Sequence, residues 1–130
     1  MGILQKTVSV LAVLALMTGC STLADTRNAE GTGKTITYSK NIDEVWPIAL
    51  LALQDLGLDV IEVNRAQGYI LAKRNISALS YGENVAIFVR PASAGKTNVE
   101  VLSKKVLATT VFAPDWTEDI FRRINIRLNK

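Results

Sequence analysis

The feature that most constrains this chain is a short apolar run near its amino terminus. Residues 8–17 are apolar apart from Ser9, and Lys6 and the terminal amino group place positive charge before them. The run is too short to cross a bilayer, which takes ~20 apolar residues, but its length is typical of the hydrophobic region of a secretory signal peptide. We therefore predict that residues 1–19 are a signal and that only residues 20–130 are available to fold.

The residues at the end of this run resemble a bacterial lipoprotein signal. Residues 16–20 read Leu-Met-Thr-Gly-Cys, with small residues directly before the cysteine. In that family the signal is cut before the cysteine, here between Gly19 and Cys20, and the cysteine carries lipid. The resemblance implies that Cys20 is the lipidation site, and Ser21, in place of aspartate, implies sorting to the outer membrane. The alternative is a free, buried cysteine.

Composition excludes the common catalytic and metal sites. The chain has no histidine and one cysteine, so imidazole-based triads, His-ligated metals, zinc–cysteine clusters and paired redox cysteines are ruled out. We predict a protein that is not an enzyme and has no metal or cofactor apart from the covalent lipid. Without Lys6 there remain 14 basic and 12 acidic side chains. This balance is too even to predict nucleic-acid binding.

Residues 20–33 read as the lipidated cysteine followed by a flexible tether. The segment is polar, with Leu23 as its one large apolar side chain. Such a composition buries too little surface to offset the entropy of ordering. Thirteen flexible residues would span roughly 20 Å on average, which leaves the domain near the membrane without fixing its orientation.

Residues 34–130 predict a single α+β domain. Alternating polarity predicts strands over residues 34–39, 58–63, 69–74, 85–90 and 99–103. Capping sequences at residues 41–44 and 115–118 predict two helices, the first running to about Leu56. The order β-α-β-β-β-β-α predicts two layers, an antiparallel sheet of four to five strands with both helices on one face. The other face would be solvated or covered by a partner. Residues 106–112 fit either a strand or an apolar flap.

The domain is similar to a family of small bacterial lipoproteins of unknown function and to the small α+β domains of BamC. The similarity lies in Val45-Trp46, Leu56-Gly57 and the stretch at residues 65–70, followed by a terminal helix. These are packing residues. The resemblance therefore implies a fold and an envelope location rather than an activity.

Two short motifs have functional and structural interpretations. Residues 31–35 read Gly-Thr-Gly-Lys-Thr, like the end of a phosphate-binding loop, but Asn28 stands where the pattern needs glycine. We interpret the segment as a flexible approach to the first strand. Residues 93–96 read Ser-Ala-Gly-Lys, a motif of penicillin-recognising enzymes, but they fall in a predicted hairpin loop. Neither motif predicts catalysis here.

These observations predict a periplasm-facing outer-membrane lipoprotein that acts as an accessory or scaffold subunit of an envelope complex. Leu50 and Leu51 fall towards the polar face of the first helix. Together with Val111 and Phe112 they form the candidate surface for an envelope protein partner. The alternative is a carrier of a small molecule or lipid, with a cavity between the sheet and the first helix.

Overall fold

A computed structural model describes residues 22–75, 82–107 and 114–129. Cys20, the signal and residues 108–113 lie outside the described residues. The described helices are α1 (Leu23–Asn28), α2 (Ile42–Asp55) and α3 (Thr117–Leu128). The described strands are β1 (Lys34–Tyr38), β2 (Asp59–Asn64), β3 (Tyr69–Arg74), β4 (Glu83–Pro91) and β5 (Thr97–Lys105).

The five strands form one antiparallel sheet in the order β1-β5-β4-β3-β2. Strands β2 to β5 follow each other as hairpin neighbours. β1 pairs with β5 at the opposite edge from β2. The sheet has two distinct sides because side chains alternate along each strand. This arrangement confirms the predicted α+β fold with an antiparallel sheet.

One side of the sheet, here called the helix face, packs against α2 and α3. The row Ile70, Ile87 and Val101 crosses its centre, and all three side chains are buried. The helices add a matching set of buried apolar residues (Val45, Ala49, Ala52, Leu53, Ile120, Phe121, Ile124). Burial of these apolar surfaces is the main force that holds the two layers together.

Helix α2 begins and ends as the sequence predicts. The Asn41 side chain accepts a hydrogen bond from the Glu44 N–H at 3.0 Å, and the Glu44 carboxylate accepts one from the Asn41 N–H at 3.4 Å. The helix stops before Gly57, which has a positive φ of 69°. Pro47 lies within the helix on its exposed side.

Helix α3 is fixed by polar contacts at its carboxyl end. Arg127 forms a two-bond ion pair with Asp55 of α2, at 2.8 Å for each bond, and these bonds raise the pKa of the arginine. The Tyr38 hydroxyl of β1 donates to Asn125 Oδ1 at 2.8 Å. Burial raises the pKa of Tyr38 to about 12.

The amino end of α3 differs from the predicted capping box. The cap position is Trp116, one residue later than expected, and it makes no side-chain capping bond. Asp115 accepts a hydrogen bond from the Thr117 N–H at 2.9 Å, and Glu118 pairs with Lys34 of β1. The reciprocal bond does not form because the later start moves Glu118 from the third helical position to the second.

The other side of the sheet, here called the outer face, is partly covered by α1, which corrects the prediction of a flexible tether for residues 22–33. Thr22 and Asp25 form a capping box, and Leu23 and Ala29 pack on an apolar patch of the sheet. The patch consists of Tyr69, Leu71, Ala86, Phe88 and Leu102. The composition of the segment alone could not reveal this surface, because every residue of the patch lies far along the chain.

The segment that follows β5 leaves the sheet at its end. Val106 donates its N–H to Gly82 O at 3.0 Å, and residues 106 and 107 form a bend. The strand interpretation of residues 106–112 therefore does not hold for the first two of them. Residues 108–112 lie outside the described part of the chain.

Two hairpin glycines provide a matched test of the turn geometry. Gly68 and Gly95 have φ values of 73° and 71°. A Cβ at Gly95 meets nothing within 4 Å, whereas a Cβ at Gly68 would lie 2.7 Å from Arg90 Nη1 and 2.8 Å from Val89 O. We expect Gly95→Ala to lower the free energy of unfolding by roughly 1–2 kcal/mol through backbone strain alone. Gly68→Ala should lower it further by at least about 1 kcal/mol.

Chemical denaturation of the two variants beside the wild type checks this expectation. Equal losses for Gly68→Ala and Gly95→Ala would contradict the close approach of Gly68 to Val89 and Arg90 of β4.

Candidate functional site

The most specific polar arrangement in the described structure joins the amino-terminal segment to the sheet. Glu100 points from β5 to the outer face and is 7% exposed. Its carboxylate accepts hydrogen bonds from the Gly31 N–H at 2.8 and 2.9 Å and from the Gly33 N–H at 2.8 Å. Successive backbone N–H groups in a glycine-rich turn form a concave anion site. The segment that resembles a phosphate-binding loop thus binds a carboxylate of its own chain.

The chain comes so close to β5 here that a side chain is excluded. A Cβ at Gly33 would lie 2.4 Å from Val101 O and 2.9 Å from Leu102 Cγ. Glycine at this position is therefore a packing requirement. It lets the backbone N–H reach the Glu100 carboxylate.

An ion pair fastens the same segment close by, near the end of β4. Arg90 of β4 contacts both carboxylate oxygens of Glu30, at 2.8 and 3.0 Å, and also donates to Gln67 O in the β2–β3 hairpin. We call Gly31, Gly33, Glu100, Glu30 and Arg90 the amino-terminal clasp. It links the segment before β1 to strands β4 and β5.

Helix α1 lies between this clasp and Thr22. Thr26 is fully buried against the sheet, and the Arg27 guanidinium stands 5.9 Å from the centre of the Tyr69 ring. The pKa of Asp25 is lowered mainly by the hydrogen bond from the Thr22 N–H. The hydrogen bond from the Thr22 hydroxyl lowers it further. The carboxylate that caps the helix is therefore ionised at neutral pH.

A second group of polar residues lies at the opposite end of the helix face. Glu83 is 1% exposed, and neither of its carboxylate oxygens has a hydrogen-bond partner. Its cross-strand partners are Arg74 on β3 and Lys105 on β5. A buried carboxylate without a donor is costly, so its presence needs a reason.

Trp116 is the second unsatisfied residue at this end. Its indole Nε1 is buried and has no acceptor, while its backbone N–H donates to Ser103 Oγ at 3.2 Å. The Arg74 guanidinium lies 5.4 Å from the Trp116 ring centre. This end of the helix face thus combines the buried Glu83 carboxylate and the buried Trp116 N–H with the cationic residues Arg74 and Lys105.

Of the predicted site residues, the described part of the chain contains Leu50 and Leu51. Leu50 is half-buried against the core, and Leu51 is 37% exposed. Cys20, Val111 and Phe112 lie outside the described residues, so the partner surface stays a prediction. Ser93 and Lys96 lie in the β4–β5 hairpin, where the Lys96 N–H donates to Ser93 O at 2.9 Å, as expected for a turn.

Within residues 22–75, 82–107 and 114–129, no cluster of three or more acidic, histidine or cysteine side chains could hold a metal ion. None of the helices in the same residues is both long enough and apolar enough to span a bilayer.

Sequence reasoning identified the glycine-rich turn but missed its ligand. Glu100 lies 67 residues beyond Gly33, so no local pattern connects the two. The sequence signal that could have identified Glu100 as a ligand is its place as a lone acidic residue in an apolar strand. Glu83 is likewise an acidic residue in β4, the strand before it. An acidic side chain at an interior strand position indicates either a buried partner or a binding role.

No protein-family model matches the chain, and no curated protein matches it significantly.

The clasp can be tested by removing one charge. Glu100→Gln keeps the shape but replaces one acceptor oxygen by a donor that faces an N–H group. Losing charge-assisted hydrogen bonds costs roughly 1.5–3 kcal/mol, so the undocked fraction of α1 should rise about tenfold or more. Trypsin should then cut after the exposed Arg27 about tenfold faster than in the wild type.

Glu118→Gln is the matched control, since its side chain is 67% exposed and pairs with Lys34 at the surface. Equal cleavage rates at Arg27 in both variants would show that Glu100 does not hold the segment.

Proposed function

We propose that this protein is a membrane-anchored lipoprotein, cut before Cys20 and lipidated there, with its domain in the periplasm. The proposal rests on residues 16–20, which resemble a lipoprotein signal, and on a docked helix close behind them. The capping box of α1 starts at Thr22, two residues after Cys20, and the clasp fastens the following residues to the sheet. Because the docked segment begins so close to the predicted lipid, the anchor would be joined to the folded domain without a long flexible linker.

The same proposal places the anchor in the inner leaflet of the outer membrane, since Ser21 follows the cysteine. It also assigns the domain a non-enzymatic role as an accessory or scaffold subunit. The chain has no histidine, and Glu100, Arg90, Asp55 and Arg127 are engaged in joining its elements. Such a protein acts by holding an envelope partner near the membrane.

The processing step is open to a direct test in cells that express the full chain. Globomycin, which blocks the lipoprotein signal peptidase, should cause the uncut precursor to accumulate. The mature protein from untreated cells should begin at Cys20 and carry the added mass of acyl chains. Cys20→Ser should remain uncut with or without the drug. A wild-type chain that is processed normally in globomycin would refute the proposal.

A small-molecule carrier is the second candidate function, and the Glu83 end of the helix face favours it. A ligand with one hydrogen-bond donor and one acceptor would satisfy both the Glu83 carboxylate and the Trp116 indole. The ligand in this case is a small polar molecule, such as an amine or amide, rather than a lipid chain.

Native mass spectrometry of the purified mature protein distinguishes the carrier. A bound small molecule should accompany the wild type and be lost from Glu83→Gln, while Glu118→Gln retains it. If the wild type carries no ligand and Glu83→Gln has a higher free energy of unfolding than the wild type, then Glu83 destabilises the folded state and is not a binding group.

A further inference from the structure

We infer that the phospholipid surface lies directly against one end of the outer face, so that the domain stands on the membrane in a fixed orientation. The inference rests on the proposed lipidation of Cys20. Because only Cys20 and Ser21 precede Thr22, the link from the lipid to the folded domain is at most about 7 Å long. A flexible segment of thirteen residues would instead give roughly 20 Å of free swing.

The direction of α1 identifies the end that faces the lipid. The carboxyl end of α1 lies near the far hairpins, where Arg27 stacks on Tyr69 and Glu30 pairs with Arg90. Its amino end carries Leu23, which packs on the apolar patch, so the helix runs back over the outer face from the hairpins. The chain therefore leaves the domain towards the row Lys73, Asn84 and Lys104, which crosses the outer face at the ends of three strands.

The residues at this end suit contact with phospholipid head groups. Lys73 is exposed and Lys104 is partly exposed, and both project from the outer face where the chain departs. Their ammonium groups are attracted to the phosphates of an anionic leaflet. Asp25 and Asp59 offset part of this charge. The acyl chains therefore supply the affinity, and the two lysines favour one orientation.

The opposite end of the sheet is then held away from the membrane. β4 runs nine residues from Glu83 to Pro91, which is a rise of roughly 30 Å. The hairpins at residues 65–68 and 92–96 lie at that far end, facing the periplasm. The orientation thus sets a fixed height at which a partner is met.

The test measures the distance of two single sites from the bilayer. Asn75→Cys, at the exposed end of β3, and Ser93→Cys each give a unique reactive thiol, because Cys20 is the chain's only cysteine and its sulfur carries the lipid. Each mature protein is labelled with a fluorophore and reconstituted in phosphatidylethanolamine–phosphatidylglycerol vesicles. Some of the lipids carry a short-range nitroxide quencher on the head group. Quenching at position 75 should exceed that at position 93 several-fold.

Adding Glu100→Gln to the Asn75→Cys protein supplies the mechanistic control. A larger undocked fraction of α1 lengthens the tether, so quenching at position 75 should fall towards the level at position 93, while Glu118→Gln leaves it unchanged. Equal quenching at both positions without Glu100→Gln would overturn the fixed orientation even though the protein stays on the vesicles. If the mature protein lacks acyl mass and does not stay on the vesicles, the proposed lipidation itself has failed.

Discussion

The carboxylate of Glu100, held by the N–H groups of Gly31 and Gly33, is the contact on which the arrangement of this protein depends. It places a buried negative charge on the outer face and satisfies it with the backbone of the amino-terminal segment. Each side needs the other, because a carboxylate buried without donors is unfavourable and a short polar segment does not order itself. Helix α1 then covers the apolar patch that the sheet would otherwise expose.

This contact changes what an amino-terminal lipid would do. A flexible tether holds a domain near a membrane but leaves every face free to meet it. With a lipid on Cys20, a segment fastened by Glu100 and by the Glu30–Arg90 pair would give the domain one end towards the lipid and one end away from it. The proposed scaffold role gains from this, since a partner would meet the same surface at the same height each time.

Local patterns predicted the strands and α2 well because their signals are local. Alternation marked β4, and the Asn41–Glu44 capping box and Gly57 marked both ends of α2. The start of α3 lies one residue later than its sequence predicts, at Trp116, whose side chain makes no capping bond. The prediction of a flexible tether was wrong because a long-range contact orders the segment. Leu23 and Ala29 pack on residues beyond position 68.

The candidate site could be predicted only in part. The glycine-rich turn was visible in the sequence and was rightly separated from a true phosphate loop, but its carboxylate ligand comes from a distant strand. The unsatisfied Glu83 and Trp116 are brought to one end of the helix face by sheet register and by the docking of α3. Neither arrangement leaves a signature in a short stretch of sequence.

Amide hydrogen exchange at Gly31 and Gly33 tests the central claim most directly. Both N–H groups lie in a turn, outside any helix or strand, and depend on Glu100 for protection. If the clasp holds the segment, they should exchange far more slowly than an unstructured glycine, and Glu100→Gln should lower this protection about tenfold or more while β4 stays protected. Exchange at the unstructured rate in the wild type would contradict the account.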